Sequence, residues 1–79
     1  MELSVQEQEE LKAHLMATDE PFRVLAEEHA LLKRRVAEIE ANPHPADEEV
    51  LEEARLKKRK LHLKDEMLEI MHQHREVHA

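Results

Sequence analysis

Apolar residues recur at intervals of three and four along two long stretches of this chain, the periodicity of amphipathic helices. In the middle stretch the pattern runs without a break through Phe22, Leu25, His29, Leu32, Val36 and Ile39. This spacing is typical of a helix that packs along one side against another helix. The pattern predicts a helix over residues 20–41.

Capping residues and prolines predict where the helices begin and end. Ser4 with Glu7 matches a capping box, which predicts a short first helix over residues 4–17. Asp19 is a good N-cap for the second helix, and Pro21 is tolerated in a first turn because the amides there lack partners anyway. Two prolines between Asn42 and Asp47 end the second helix, and Asp47 is predicted to cap a third helix over 47–77. We therefore expect one all-α domain over residues 1–79.

The third helix carries an apolar face that could pair with the second helix. A turn near Pro45 would make the two helices antiparallel, so that the numbers of facing residues add to about 90. This places Phe22 opposite Leu68 and His29 opposite Leu61. We predict a coiled-coil-like antiparallel hairpin whose seam consists of Phe22, Leu25, His29, Leu32, Val36, Ile39, Val50, Ala54, Leu61 and Leu68.

A second apolar stripe lies roughly 160° to 240° around the third helix, at about 100° per residue. One partner helix cannot cover both sides, and a helix that is apolar on two faces is usually buried on both. The simplest second partner is another copy of the chain, since a twofold dimer is the commonest assembly. The stripe predicts a homodimeric helical bundle with an interface made of Leu56, Leu63, Met67, Ile70, His74 and Val77.

Composition narrows the classes of function. Charged residues make up 39% of the 79 residues and apolar residues 41%, with a net charge of −7 and with no Gly or Cys. Two or three helices without a glycine-rich loop or a nucleophilic cysteine offer no pocket for catalysis, so we expect no enzyme, no catalytic residue and no cofactor. No apolar run is long enough to span a membrane. We expect a cytoplasmic protein without a membrane partner.

Histidines near the end of the third helix suggest metal binding. His74 and His78 are four residues apart, a spacing that can place two imidazoles on one ion. The preceding positions on that face, Ile70 and Met71, are not zinc ligands, and a structural zinc site normally needs about four ligands. We therefore predict no metal site. His29 differs because it falls in the predicted seam, as a packed imidazole or as a polar residue that fixes the register.

The basic run over residues 55–60 allows two interpretations. It could bind phosphate groups of a nucleic acid. Alternatively, it is a solvated face in which Glu52 pairs with Arg55 and Glu53 with Lys57 along the helix. The net negative charge and the absence of interleaved aromatic residues for base stacking favour ion pairing, so a nucleic-acid partner is not expected.

The third helix also resembles a known signature. Its segment Leu56-Lys57-Lys58-Arg59-Lys60-Leu61-His62-Leu63-Lys64-Asp65-Glu66-Met67 is similar to that of the YdcH-like family of small bacterial helical proteins, a domain of unknown function. Pro21-Phe22 followed by Leu25 resembles the family's opening segment, and the stretch 43–49 resembles its turn. The resemblance implies a helical hairpin that can form coiled coils, and it implies no catalytic residue or ligand.

These patterns favour a small interaction or structural protein that acts through a coiled-coil-like helical surface. The alternative is a nucleic-acid-associated factor that uses the basic run over residues 55–60.

Overall fold

The computed structural model describes residues 3–78, with side chains up to residue 75, as three α-helices. The helices are α1 (Val5–Thr18), α2 (Glu20–Ala41) and α3 (Asp47–His78), and no strand occurs within the described residues. The molecule measures 48 × 23 × 17 Å. Its long dimension equals that of α3, because 32 helical residues at about 1.5 Å each span about 48 Å.

The breaks between the helices arise from local chemistry. Ser4 and Glu7 form the predicted capping box, in which Ser4 Oγ accepts a hydrogen bond from the Glu7 amide at 3.2 Å. Asp19 has an extended backbone between α1 and α2, and its Oδ1 accepts a hydrogen bond from the Phe22 amide at 2.8 Å. Both predicted N-caps are therefore confirmed.

The start of α3 differs from the prediction. Asp47 is the first helical residue, so that Ala46 occupies the N-cap position. The Ala46 amide donates a hydrogen bond to Glu49 Oε1 at 3.1 Å, which is one half of a capping box. Ala46 has no side-chain oxygen with which to supply the other half, and the acidic residues Asp47, Glu48 and Glu49 instead complement the positive end of the helix.

A core of buried residues, one from each helix, lies where α1 meets α2 and α3. Leu15 of α1, Phe22 of α2 and Met71 of α3 are buried together. Leu11, Met67 and Ile70 pack against this cluster. Helix α1 thus covers the region where the start of α2 meets the last third of α3.

Candidate interaction surface

The predicted seam residues of α2 all avoid full exposure. Phe22, Val36 and Ile39 are buried, with 1 to 3% of their surface accessible. Leu25, His29 and Leu32 are half-buried. The same three- and four-residue steps that identify these positions in the sequence therefore follow the inward side of α2.

The inward side of α3 is the stripe that the sequence assigned to a dimer interface. Leu63 is completely buried, and it lies within the chain rather than on its surface. Leu63 is therefore not available to a partner chain, contrary to the interface that the sequence predicted. Half-buried residues continue the stripe on both sides of Leu63, namely Leu56, Met67, Ile70 and His74. The side chain of Val77, the remaining member, lies outside the described residues.

The predicted α3 half of the seam faces outward, which corrects a second expectation. Val50 is 52% exposed, Leu61 59% and Leu68 46%, and Ala54 is exposed as well. Two residues turn a helix by about 200° but advance it by only about 3 Å, so a small misalignment exchanges the two faces.

Two signals in the sequence could have identified the inward face of α3. Its positions step by four and three through Leu56, Lys60, Leu63, Met67 and Ile70, which matches the stepping in α2. In addition, Leu11 and Leu15 of α1 supply apolar cover for the end of this stripe. Helix α1 is short and has few apolar residues, so this contribution is a weak signal in the sequence.

Two arginine–glutamate ion pairs join α2 and α3. The Arg35 guanidinium donates two hydrogen bonds to the Glu52 carboxylate, each of 2.8 Å. Arg59 donates two more to Glu28, at 3.1 and 3.2 Å. The hydrogen bonds from Arg35 hold the pKa of Glu52 below its usual value, and those to Glu28 raise the pKa of Arg59.

The cations of the basic run over residues 55–60 differ in their contacts. Lys57 Nζ lies 3.2 Å from carboxylate oxygens of both Glu40 and Glu53, and its hydrogen bonds to these two residues raise its pKa. The predicted pair of Glu53 with Lys57 is thus confirmed. The predicted pair of Glu52 with Arg55 is wrong, since Glu52 pairs with Arg35 on α2.

Part of the basic run lines a depression in the surface of α3. A shallow depression of about 310 Å³ is lined by Arg55, Lys58, Arg59 and His62. Within the described residues, Arg59 alone of these four has an ion-pair partner. Three cationic side chains and an imidazole therefore share one face of α3.

His29 lies beside lysines of both long helices. Burial is the main cause that lowers its pKa, and the charges of Lys60, Lys33 and Lys64 lower it further. A neutral imidazole is therefore favoured in the contact between α2 and α3.

The histidines considered for metal binding are not gathered into a site. The His74 ring lies 5.3 Å from the ring of His14 on α1, at a tilt of 49°. The side chain of His78 lies outside the described residues. In the part of the chain that the structure describes, no group of three or more histidines and carboxylates is placed to hold a metal ion.

A helix that crosses a membrane must be long and mostly apolar. Among the residues described, no helix combines the length and the apolar character required to cross a bilayer.

The fold and the surface define a small all-α protein built on two long, charged amphipathic helices. Residues 22–71 match the family described as "Protein of unknown function (DUF465)". The chain belongs to this family, which confirms the resemblance to the YdcH-like proteins drawn from its motifs. No curated protein and no solved structure matched the chain.

Proposed function

We propose that this protein is a non-enzymatic interaction module of the cytosol, an antiparallel helical hairpin that self-associates through the exposed apolar face of α3. The observation that carries the proposal is the exposure of Val50, Leu61 and Leu68 on one side of a single helix. These side chains sit at spacings of eleven and seven residues, which keep them on one face.

The pattern of burial supports the antiparallel hairpin. Setting Phe22 opposite Ile70 agrees with the core, where Ile70 packs against the cluster that contains Phe22. If α2 and α3 then run in opposite directions, each predicted seam residue of α2 meets a residue of α3 that is not exposed. The layers are Phe22 with Ile70, Leu25 with Met67, His29 with Leu63, Leu32 with Lys60, Val36 with Leu56, and Ile39 with Glu53.

The ion pairs support the same arrangement. Glu28 and Arg35 each precede a seam residue of α2, and their partners Arg59 and Glu52 each precede a seam residue of α3. On the other edge, Glu40 and Lys57 each follow a seam residue. Pairing of equivalent flanking positions is what an antiparallel coiled coil produces, because each edge brings together the same side of both helices.

Self-association would cover apolar surface that the hairpin leaves in water. Burying a large apolar side chain is worth about 1.5 to 3 kcal/mol, and a twofold interface would bury Val50, Leu61 and Leu68 of both copies. A small chain has a limited core of its own, so this gain would be substantial. The expected product is a dimer of hairpins with four long helices.

A matched pair of double variants tests the proposal. Leu61→Lys with Leu68→Lys places two charges on the α3 face, whereas Val24→Lys with Leu31→Lys places two on α2. The α2 residues have the same seven-residue spacing and similar exposure, 54% and 61%. We expect sedimentation equilibrium to give a dimer for the unmodified chain and the α2 variant, and a helical monomer for the α3 variant. A monomeric unmodified chain at micromolar concentration contradicts the proposal.

A second candidate function is binding of nucleic acid, favoured by the depression lined by Arg55, Lys58, Arg59 and His62. Phosphate contacts make affinity fall steeply with salt. A titration with generic duplex DNA and RNA over a salt series tests this candidate, with Lys58→Glu as the variant. Binding that weakens with salt and is lost in Lys58→Glu supports it, and no binding at low salt excludes it.

A further inference from the structure

Two histidines from different helices meet beside the core. The rings of His14 on α1 and His74 on α3 have centroids 5.3 Å apart and are tilted by 49°. His14 is exposed and His74 is half-buried, so solvent can reach the pair. The spacing in the sequence joined His74 with His78 of the same helix, whereas the contact with His14 arises only when α1 packs on α3.

The core anchors both helices close to this histidine pair. Leu15, which follows His14, is buried in one cluster with Met71 of α3. Ile70 packs against the same cluster, and it precedes His74 by four residues, about one helical turn. The backbones that carry the two imidazoles are therefore already held near each other, so binding of a shared ligand would require little further ordering.

The separation of the rings suits two imidazoles bound to one metal ion. Zinc binds a histidine nitrogen at about 2.0 to 2.1 Å, and the ring centroid lies about 1 Å beyond that nitrogen. Two imidazoles on one tetrahedral ion therefore have centroids about 5 Å apart, which matches the 5.3 Å between His14 and His74. Each ring can turn about its bond to the metal, so the tilt of 49° is compatible with shared coordination.

We propose that His14 and His74 together bind a divalent transition-metal ion such as Zn²⁺ or Ni²⁺, which links α1 to α3. Imidazole nitrogen suits these ions, whereas Mg²⁺ and Ca²⁺ take oxygen ligands. Each imidazole has two nitrogens, so one can bind the ion while the other keeps a hydrogen bond.

The predicted affinity follows from the number of protein ligands. Within the described residues, no group of three or more histidines and carboxylates is placed to hold an ion. Water therefore completes the coordination of the ion between His14 and His74. We expect weaker binding than at a structural zinc site with about four protein ligands, and we expect the helices to fold without the ion.

Zinc titration of the full chain and of matched histidine variants tests this inference. His14→Ala and His74→Ala should each weaken the affinity for Zn²⁺ about tenfold or more in isothermal titration calorimetry, because each removes one of two protein ligands. His62→Ala is the control, since His62 is an exposed histidine of α3 outside the pair, and it should bind like the unmodified chain. His14 is exposed, so its replacement should leave the helices intact, which circular dichroism checks.

Thermal unfolding supplies a second measurement. An ion that binds the folded chain but not the unfolded chain raises the melting temperature by mass action. Zn²⁺ should therefore raise the melting temperature of the unmodified chain and of His62→Ala, but not that of His14→Ala. Mg²⁺ at the same concentration should have no such effect, because it prefers oxygen ligands.

Two outcomes would overturn the inference. Zinc affinity that survives His14→Ala but is lost in His78→Ala would mean that two histidines of α3 alone hold the ion. Equal zinc affinity in all the variants would mean adventitious binding at the surface only, with His14 and His74 in a ring contact. Both members of the pair belong to one chain, so neither result bears on the proposed self-association through α3.

Discussion

At the scale of single residues, packing of the long helices changes the pKa of His29. It is half-buried on the inward side of α2. Burial and the charges of Lys60, Lys33 and Lys64 lower its pKa below 6.5. Between the lowered pKa of the folded state and 6.5, the unfolded chain binds a proton at His29 more readily than the folded chain does. The contribution of His29 to stability is therefore present above pH 6.5 and is lost as the pH falls through this window.

We expect His29→Leu to remove this part of the pH dependence. The melting temperature of the unmodified chain should fall on going from about pH 7.5 to about pH 5.5, and that of His29→Leu should fall less. His44→Leu is the control, because His44 is exposed in the connection between α2 and α3. Equal losses of melting temperature in all three chains would show that His29 is not the titrating group.

At the scale of elements, α3 has two apolar faces, and packing determines which of them turns inward. The inward face is apolar at both of the alternating seam positions from Leu63 to Ile70. The outward face places Lys57 and Lys64 between its apolar residues. Contact with α2 and α1 therefore buries more apolar surface through the Leu63 face, while the lysines remain near water.

Truncation of a side chain should lower the free energy of unfolding more on the inward face of α3 than on its outward face. Leu63→Ala should lower the free energy of unfolding by about 2 to 5 kcal/mol, because Leu63 is fully buried. Leu61→Ala should change it by about 0.5 kcal/mol or less, because Leu61 is 59% exposed. Urea unfolding followed by circular dichroism, at protein concentrations where each chain is monomeric, measures both. A larger loss for Leu61→Ala would restore the seam that the sequence predicted.

At the scale of the whole molecule, α1 joins the long helices into one packed unit. Leu15 retains only 2% exposure between Phe22 and Met71. Without α1, this end of the inward stripe would face water. Packing of α1 on the inward stripe leaves Val50, Leu61 and Leu68 exposed on the outward face of α3.

Loss of the α1 contact should therefore destabilise the whole fold. We expect Leu15→Ala to lower the free energy of unfolding by about 2 to 5 kcal/mol. Met16→Ala, at the next position, should have a small effect because Met16 is 37% exposed. Thermal and urea unfolding of both variants provide the comparison, and equal effects would mean that α1 does not belong to the core.

The sequence by itself determined the three helices and the inward side of α2. Ser4, Asp19 and the prolines near residues 43–45 act locally on the backbone, so their effects can be read without tertiary contacts. The α2 stripe is readable for a similar reason, because that helix has only one continuous apolar side. The motifs of α3 also sufficed to recognise the family.

Only the tertiary structure decided which side of α3 is buried and where its charges go. Both faces carry apolar residues at helical spacing, and a shift of two residues exchanges them at little cost in local geometry. The choice depends on contacts with residues distant in sequence, including Leu15 against Met71 and Arg35 against Glu52. Such contacts are absent from the local pattern, since they form only when α1, α2 and α3 pack together.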